Sequence, residues 1–265
     1  MKILAIDLGF SGCKFYDGNR RGVILSAYIP SDEEGAIRGY ILGEEALYRV
    51  NPRYLRTVEE VVEFYPVFVG AILQGNVAEA ITAGLPLEFY TEESKKLKKG
   101  VDNAITRLQR NLSDYAGKVF ILPQGVGGVI AFLRNFSAVK GNILAIDIGF
   151  NTVIYLLYST TENKILTHKT LYKFGVQDLA MNYLLPMIKE YTTGKTLTPL
   201  AVDMILRQKV VQSGFDSIKV DDQVSEATQR YGQELLRHII SELKALNYVQ
   251  FTEIVFMGGG ARLLE

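Results

Sequence analysis

Residues 2–10 read KILAIDLGF and residues 142–150 read NILAIDIGF. Seven of the nine positions are identical, and the two aspartates, Asp7 and Asp147, lie 140 residues apart. Any buried strand contains an apolar run of this kind, so the shared Ile-Leu-Ala-Ile says little by itself. The shared Asp-x-Gly-Phe ending says more. It sets an acid where a strand stops and a glycine-bearing turn begins, and it does so twice. Two unrelated hairpins would meet this pattern, and so would a duplicated half-fold.

A chain of 265 residues suits two ordinary domains or one large one. With 48% hydrophobic and 22% charged residues it has globular composition and can bury a sizeable core. Twenty-nine basic residues balance 29 acidic ones, which argues against a general attraction to nucleic acid or to an anionic membrane. Cys13 is the only cysteine, and His168 and His238 are the only histidines. An intramolecular disulfide is therefore excluded, and the usual structural zinc sets are missing. Asp7 interrupts the short apolar start, unlike a secretory leader, and no apolar run approaches the ~20 residues of a membrane span. The expectation is a soluble, cytoplasmic protein.

Along the chain, residues 3–7 and 13–17 read as strands around LGFSG, and DGN at 17–19 turns into a third strand, GVILSAYIP. An antiparallel meander thus opens the protein. Residues 31–75 are less regular, with VEEVVEFYPVFVGAIL helical on both sides of Pro66. VAEAITAGLPLEFY reads as a strand entering a loop. A polar helix follows, with Thr91 and Ser94 as N-terminal caps. KVFILPQGVGGVIAFLRN reads as strand, glycine turn and helix. The second half restarts with two strands around its own Asp-Gly turn and KILTHKTLYKF as the third. Helices are expected near 177–190, 198–212 and 225–246, before EIVFMGGGARLL closes with a strand, three glycines and a helix start.

Glycine allows positive φ and lets backbone N–H groups approach an anion. An acid beside such a turn can hold hydrated Mg²⁺, which takes few carboxylates and keeps waters. Two facing copies would grip a polyphosphate. LPQGVGGV sits between a strand and a helix, where phosphate or water is often positioned. It is no dinucleotide fingerprint, because the last glycine of that motif would fall on Ile130. TTGKT at 192–196 fails as a P-loop, because Lys189 stands at the first glycine position.

Five signals in this order, AIDLGFSGCK, LPQGVGG, AIDIGFNT, the segment around KFGVQDLA, and VFMGGGARLL, resemble the actin-like ATPase superfamily. They correspond to phosphate 1, connect 1, phosphate 2, a following glycine turn and the adenosine motif. ITAGLPLEFYTEESKKLKKGV is similar to the ParM/StbA plasmid-segregation actins, and LPQGVGG to their archaeal relatives. Residues 30–75 and 185–225 match least. The resemblance implies an α/β fold of the actin/hexokinase type. In it each half is a duplicated ribonuclease-H-like βββαβαβα unit, and nucleotide lies between the halves. Domain I would be 1–138, with a small outer subdomain at about 30–75, and domain II 139–265; the family's C-terminal return to domain I does not fall within these residues.

Carried over residue by residue, the resemblance puts Asp7 and Asp147 at the metal, through water, and Gln124 at the residue that orients the attacking water. Gly9, Ser11, Gly12 and Lys14 would form the first phosphate loop. Gly149, Asn151 and Thr152 would form the second, with Gly175 in the following turn. Gly258, Gly259 and Gly260 would line the nucleoside, with Arg262 near its base. Where many relatives carry a further acid, this chain has Ile154. The implied cofactors are ATP or ADP with Mg²⁺. The implied partners are further copies of the chain in a filament and a DNA-binding adaptor; nothing points to direct nucleic-acid or membrane binding. A neutral amide at 124 can orient water but not take its proton, so slow hydrolysis is expected. A small-molecule kinase and a non-polymerising scaffold ATPase of the same superfamily are the alternatives. Tyr40, Tyr48 and Tyr54 are candidate filament anchors or core residues.

Overall fold

The computed structural model describes residues 3–87, 101–136, 138–192, 197–213, 216–248 and 250–264. The expected caps Thr91 and Ser94 and most of TTGKT lie outside the described residues. The contacts divide the chain into two compact units, Met1–Gln124 and Gly125–Glu265. Among the described residues, no helix is long and apolar enough to cross a membrane.

In the first unit, β1 (Ile3–Leu8), β2 (Gly12–Tyr16) and β3 (Arg21–Leu25) form the expected antiparallel meander. Then β7 (Ala78–Leu85) pairs parallel to β1, and β8 (Ala116–Pro123) pairs parallel to β7. The sheet order is β3-β2-β1-β7-β8. Parallel neighbours require crossovers, supplied here by α2 (Val58–Leu73) and α3 (Val101–Leu112). Leu4, Ile6, Leu8, Ile81, Ala83 and Leu85 alternate along their strands and pack with Phe68 and Leu108 of these helices into one core. Period-two alternation sends their neighbours to the other face: Ile3, Tyr16, Val23, Phe120 and Leu122 are all substantially exposed. Asp7 and Lys14 stand on that second face.

The irregular stretch before α2 holds a small sheet, β5-β4-β6, from β4 (Ala27–Pro30), β5 (Tyr40–Leu42) and β6 (Arg53–Tyr54), with a one-turn helix α1 (Glu44–Leu47). Thr57 starts α2 with a capping box: its side chain accepts from the Glu60 N–H, and Glu60 reaches back to the Thr57 N–H. The helix runs unbroken through Pro66.

The second unit repeats the plan. β9 (Asn142–Ile148), β10 (Thr152–Ser159) and β11 (Lys164–Tyr172) form a meander, and β14 (Glu253–Met257) pairs parallel to β9, giving the order β11-β10-β9-β14. α4 (Val126–Asn135) packs in this unit, where Gly128 lets the helix close on Met257: a Cβ there would fall 2.0 Å from its sulfur. A helical run, α5, spans 176–192 and includes a π-type stretch, Leu179–Leu184. α6 (Pro199–Gln208) and the long α7 (Asp221–Ala245) follow. Leu144, Ile146, Val153, Tyr155, Val202, Tyr231 and Leu235 share the core.

One expectation fails in detail. The helix expected over 198–212 stops at Gln208, because Lys209 turns left-handed at φ 56°. Val210–Ser213 is instead a strand, β12, paired with β13 (Asp216–Lys219). Of the two readings left open for Tyr40, its packing supports core: it lies against Tyr28 and Phe64, with ring centroids at 5.8 and 5.0 Å.

Candidate functional site

Each unit builds its candidate loop in the same way. The first strand ends in the acid, and the next residues double back through a bond from the N–H of Gly9 to the Gly12 carbonyl, 3.1 Å. In the second unit the matching bond runs from the Gly149 N–H to the Thr152 carbonyl, 2.9 Å. Neither loop uses a left-handed glycine: Gly9, Gly12, Gly149 and Gly175 all lie outside the positive-φ set. The expectation that φ selects glycine there is corrected. Contact selects it instead at three of the four. A Cβ on Gly12 would fall 2.9 Å from Val23, on Gly149 3.0 Å from the Thr152 carbonyl oxygen, and on Gly175 2.3 Å from the Phe150 oxygen.

In the first unit the register places Asp7 directly opposite Lys14. The ammonium lies 3.8 Å from Oδ2, with both side chains about half exposed. Gln124, which follows β8, donates from Nε2 to Asp7 Oδ1 at 2.8 Å. An ionised carboxylate only accepts, so this bond fixes which way the amide faces and leaves the Gln124 carbonyl oxygen free to accept from another donor. Three residues from three strands or strand ends thus meet at one carboxylate. The sequence reading missed two supports. Gly84 forms the floor beneath them, where a Cβ would lie 3.0 Å from Gln124 Cγ and 3.5 Å from Asp7 Oδ1. Ser26, fully buried, ties the loop from beneath: its hydroxyl donates to the Gly9 carbonyl at 2.5 Å, and its N–H donates to the Ser11 carbonyl at 3.2 Å. GLP marks Gly84 as a turn glycine at most, and nothing local marks Ser26.

The second unit differs in what stands opposite its acid. Asp147 faces Ile154 rather than a cation, and Ile154 is buried. The N-terminal N–H groups of α5 are taken by the loop itself: Val176 donates to the Gly149 carbonyl at 3.0 Å and Gln177 to the Phe150 carbonyl at 2.8 Å. Gly175 therefore lets the helix start seat against the loop. Asn151 Oδ1 is buried without a hydrogen-bond partner, and such an atom is expensive unless something completes it.

The three closing glycines separate by geometry. Gly258 has φ 87°, and a Cβ on it would fall 2.2 Å from Asp147 Oδ1. Gly260 donates to the Ile148 carbonyl at 2.9 Å, and its Cβ would meet Ile148 and Val176 at 2.4 and 2.6 Å. Gly259 is exposed, and a Cβ on it would meet nothing within 4 Å. Arg262 stands exposed on the short 3₁₀ turn Ala261–Leu263.

Among the described residues no three His, Cys, Asp or Glu side chains gather to cage a metal. A carboxylate such as Asp7, beside a loop of backbone N–H groups, is of the donor class that Mg²⁺ accepts when phosphates and waters complete its shell, so the residues present fit that ion. Cys13 is fully buried, and burial, with the Asp7 charge beside it, pushes its thiol far above its ordinary range. It is core, not chemistry.

Residues 145–265 match a family model described as archaeal actin homologue MreB-like, C-terminal. No curated protein matches the sequence. Among solved structures, the ADP complex of Ta0583, an archaeal actin homolog, is 16% identical with a TM-score of 0.77, covering 100% of this chain and 89% of that one. A 15-stranded ParM filament from Clostridium botulinum is 16% identical with a TM-score of 0.72, covering 99% and 90%. MreB5 of Spiroplasma citri bound to ADP is 13% identical with a TM-score of 0.64, covering 97% and 84%.

Proposed function

From an actin-like fold whose second half carries the pattern of the archaeal MreB-like C-terminal domain, we propose that this chain binds Mg–ATP, hydrolyses it slowly and assembles with copies of itself in response to nucleotide. The observation that carries the reading is the meeting of Lys14 and Gln124 on the Asp7 carboxylate. Lys14 supplies a positive charge beside the phosphates. Gln124, held by Asp7 through its amide nitrogen, keeps its carbonyl oxygen available to accept a hydrogen bond from water and so orients the nucleophile. It takes no proton, so catalysis rests on position and charge neutralisation. Asp7 and Asp147 would hold Mg²⁺ through water, and the ion, when bound, supplies further neutralisation of the phosphate charge. The loop of Gly149, Asn151 and Thr152 offers a second set of polar groups, with the unpartnered Asn151 Oδ1 among them. Gly259 leaves open backbone for the nucleoside, and Arg262, the first polar side chain after the glycines, would lie near its base.

Assembly follows from the same likeness, since one similar structure is a filament of ParM. Segregation of DNA through a DNA-binding adaptor, or cytoskeletal organisation, is the role we assign to such a filament in the cytoplasm. The test is calorimetry with Mg–ATP beside a phosphate-release assay. Asp7→Ala is expected to weaken binding. Gln124→Ala is expected to bind as the parent does and to release phosphate roughly 10²-fold more slowly, the scale of a lost positioning contact. Unchanged affinity in Asp7→Ala together with unchanged turnover in Gln124→Ala would overturn the assignment.

A further inference from the structure

We infer that Tyr65 is a positioning residue for the Asp7–Gln124 pair, acting through the ends of β1 and β7; the inference rests on reading that pair as part of an ATP site. The parallel ladder between these strands runs from Ile3 opposite Ala80 to Ile6 opposite Ala83. At its end the Tyr65 hydroxyl from α2 enters between the two backbones. It accepts from the Leu8 N–H at 3.2 Å and from the Gly84 N–H at 3.3 Å, and it donates to the Gly84 carbonyl at 2.7 Å. One donor and two lone pairs are all that a hydroxyl has, so the group is saturated by backbone alone.

An ordinary core tyrosine would need one partner for its hydroxyl; this one has three, on the residue after Asp7 and on the glycine beneath Gln124. Tyr65 is completely buried. Burial, with the Asp7 charge adding to it, pushes its phenol well above the ordinary range, so it remains a neutral donor. Gly84 is the lever. Its backbone sits where a single added carbon would press on Gln124 Cγ at 3.0 Å, so a small shift of Gly84 alters the 2.8 Å bond between Gln124 and Asp7. Tyr65 touches no reacting atom. It sets the width of the gap across which the water-orienting amide and the acid are held.

The experiment compares three variants of the full chain with the parent. Tyr65→Phe removes the hydroxyl. Gly84→Ala perturbs the same gap from the opposite side, without a left-handed φ to strain. Phe68→Leu alters an equally buried residue of the same helix that makes no polar contact with the loop. Thermal unfolding, Mg–ATP affinity and single-turnover phosphate release are measured for each. Tyr65→Phe and Gly84→Ala are expected to lose roughly ten- to hundredfold in turnover while affinity stays within about threefold, as expected for an effect on position rather than uniform binding. Phe68→Leu is expected to unfold earlier and yet turn over at the parent rate. If Tyr65→Phe does not fold, Gly84→Ala decides. Parent-like turnover in the folded gap variants, or an equal loss in Phe68→Leu, overturns the role of Tyr65 alone. A parent that neither binds nor hydrolyses Mg–ATP overturns the ATP reading and this inference with it.

Discussion

At the scale of single residues, the two halves share a loop but not its chemistry. Asp7 is faced by Lys14 and Asp147 by Ile154, the same register position in each hairpin. At that register position the first acid therefore has a cation and the second an apolar side chain. The three adjacent glycines show how one run can hold two requirements. Gly258 and Gly260 are there because neighbours leave no room, whereas Gly259 faces open space. Gly258→Ala is therefore expected to destabilise the fold by about 1–3 kcal/mol, from a left-handed φ and a methyl forced against Asp147. Gly259→Val is expected to unfold within about 0.5 kcal/mol of the parent, as surface substitutions do, while losing most of its affinity for Mg–ATP. Thermal unfolding beside calorimetry separates them; a Gly259→Val chain that binds ATP like the parent would remove this glycine from the nucleoside site.

Among the elements, the helices do most of the holding. α2 delivers Tyr65 to the first loop from a start fixed by the Thr57–Glu60 box. α7 does the corresponding work in the second unit, where the Tyr231 hydroxyl donates at 2.6 Å to the Phe174 carbonyl, next to Gly175. Glu242, further along α7, ties the helix to the sheet. It accepts from Tyr155 Oη at 2.8 Å and from Lys169, with His238 Nε2 3.4 Å away. Burial pushes its carboxyl up, but the hydrogen bonds from Lys169 and Tyr155 outweigh that, and the folded pKa falls below the ordinary 4.5. A lowered carboxylate contributes stability that is fully present above about 4.5 and lost as the pH falls through the lowered folded value. Glu242→Gln is thus expected to unfold earlier than the parent at pH 7, with the gap between their melting temperatures closing below pH 4.5. A gap that stays constant down to pH 3 would show that the carboxylate charge plays no part.

For the whole molecule the question is what allows copies to join. Tyr48 and Val50, just after α1 in the outer subdomain of the first unit, are 88% and 81% exposed. Large apolar side chains that far out gain little in an isolated subunit and much when covered. Head-to-tail contacts whose rotation does not close a ring extend into a filament. We expect the parent chain to scatter light at 90° with Mg–ATP more than with ADP. Replacing both Tyr48 and Val50 by Ser is expected to lower that signal severalfold while leaving Mg–ATP affinity unchanged. Scattering independent of nucleotide would mean aggregation, and an undiminished signal in the double variant would exclude this surface.

Much of this was legible before any coordinates. The repeated Asp-Gly ending marked both loops, and the two meanders followed from alternation and turn chemistry; the parallel pairing of the later strands came only with the resemblance to a known fold. The loops and meanders are local properties, set by side-chain period and backbone preference within a few residues. The hairpin after Gln208 was not legible, because its start depends on a lysine adopting a left-handed conformation that composition does not mark. Nor was the role of Tyr65, whose hydroxyl meets residues 57 and 19 positions away. Gly84 and Ser26 likewise act on residues outside their own segments, Gly84 on Gln124 and Asp7 and Ser26 on Gly9 and Ser11. Only the tertiary structure decides which buried hydroxyl reaches which strand end and which of three glycines has empty space beside it, because those depend on contacts between segments and not on any segment alone.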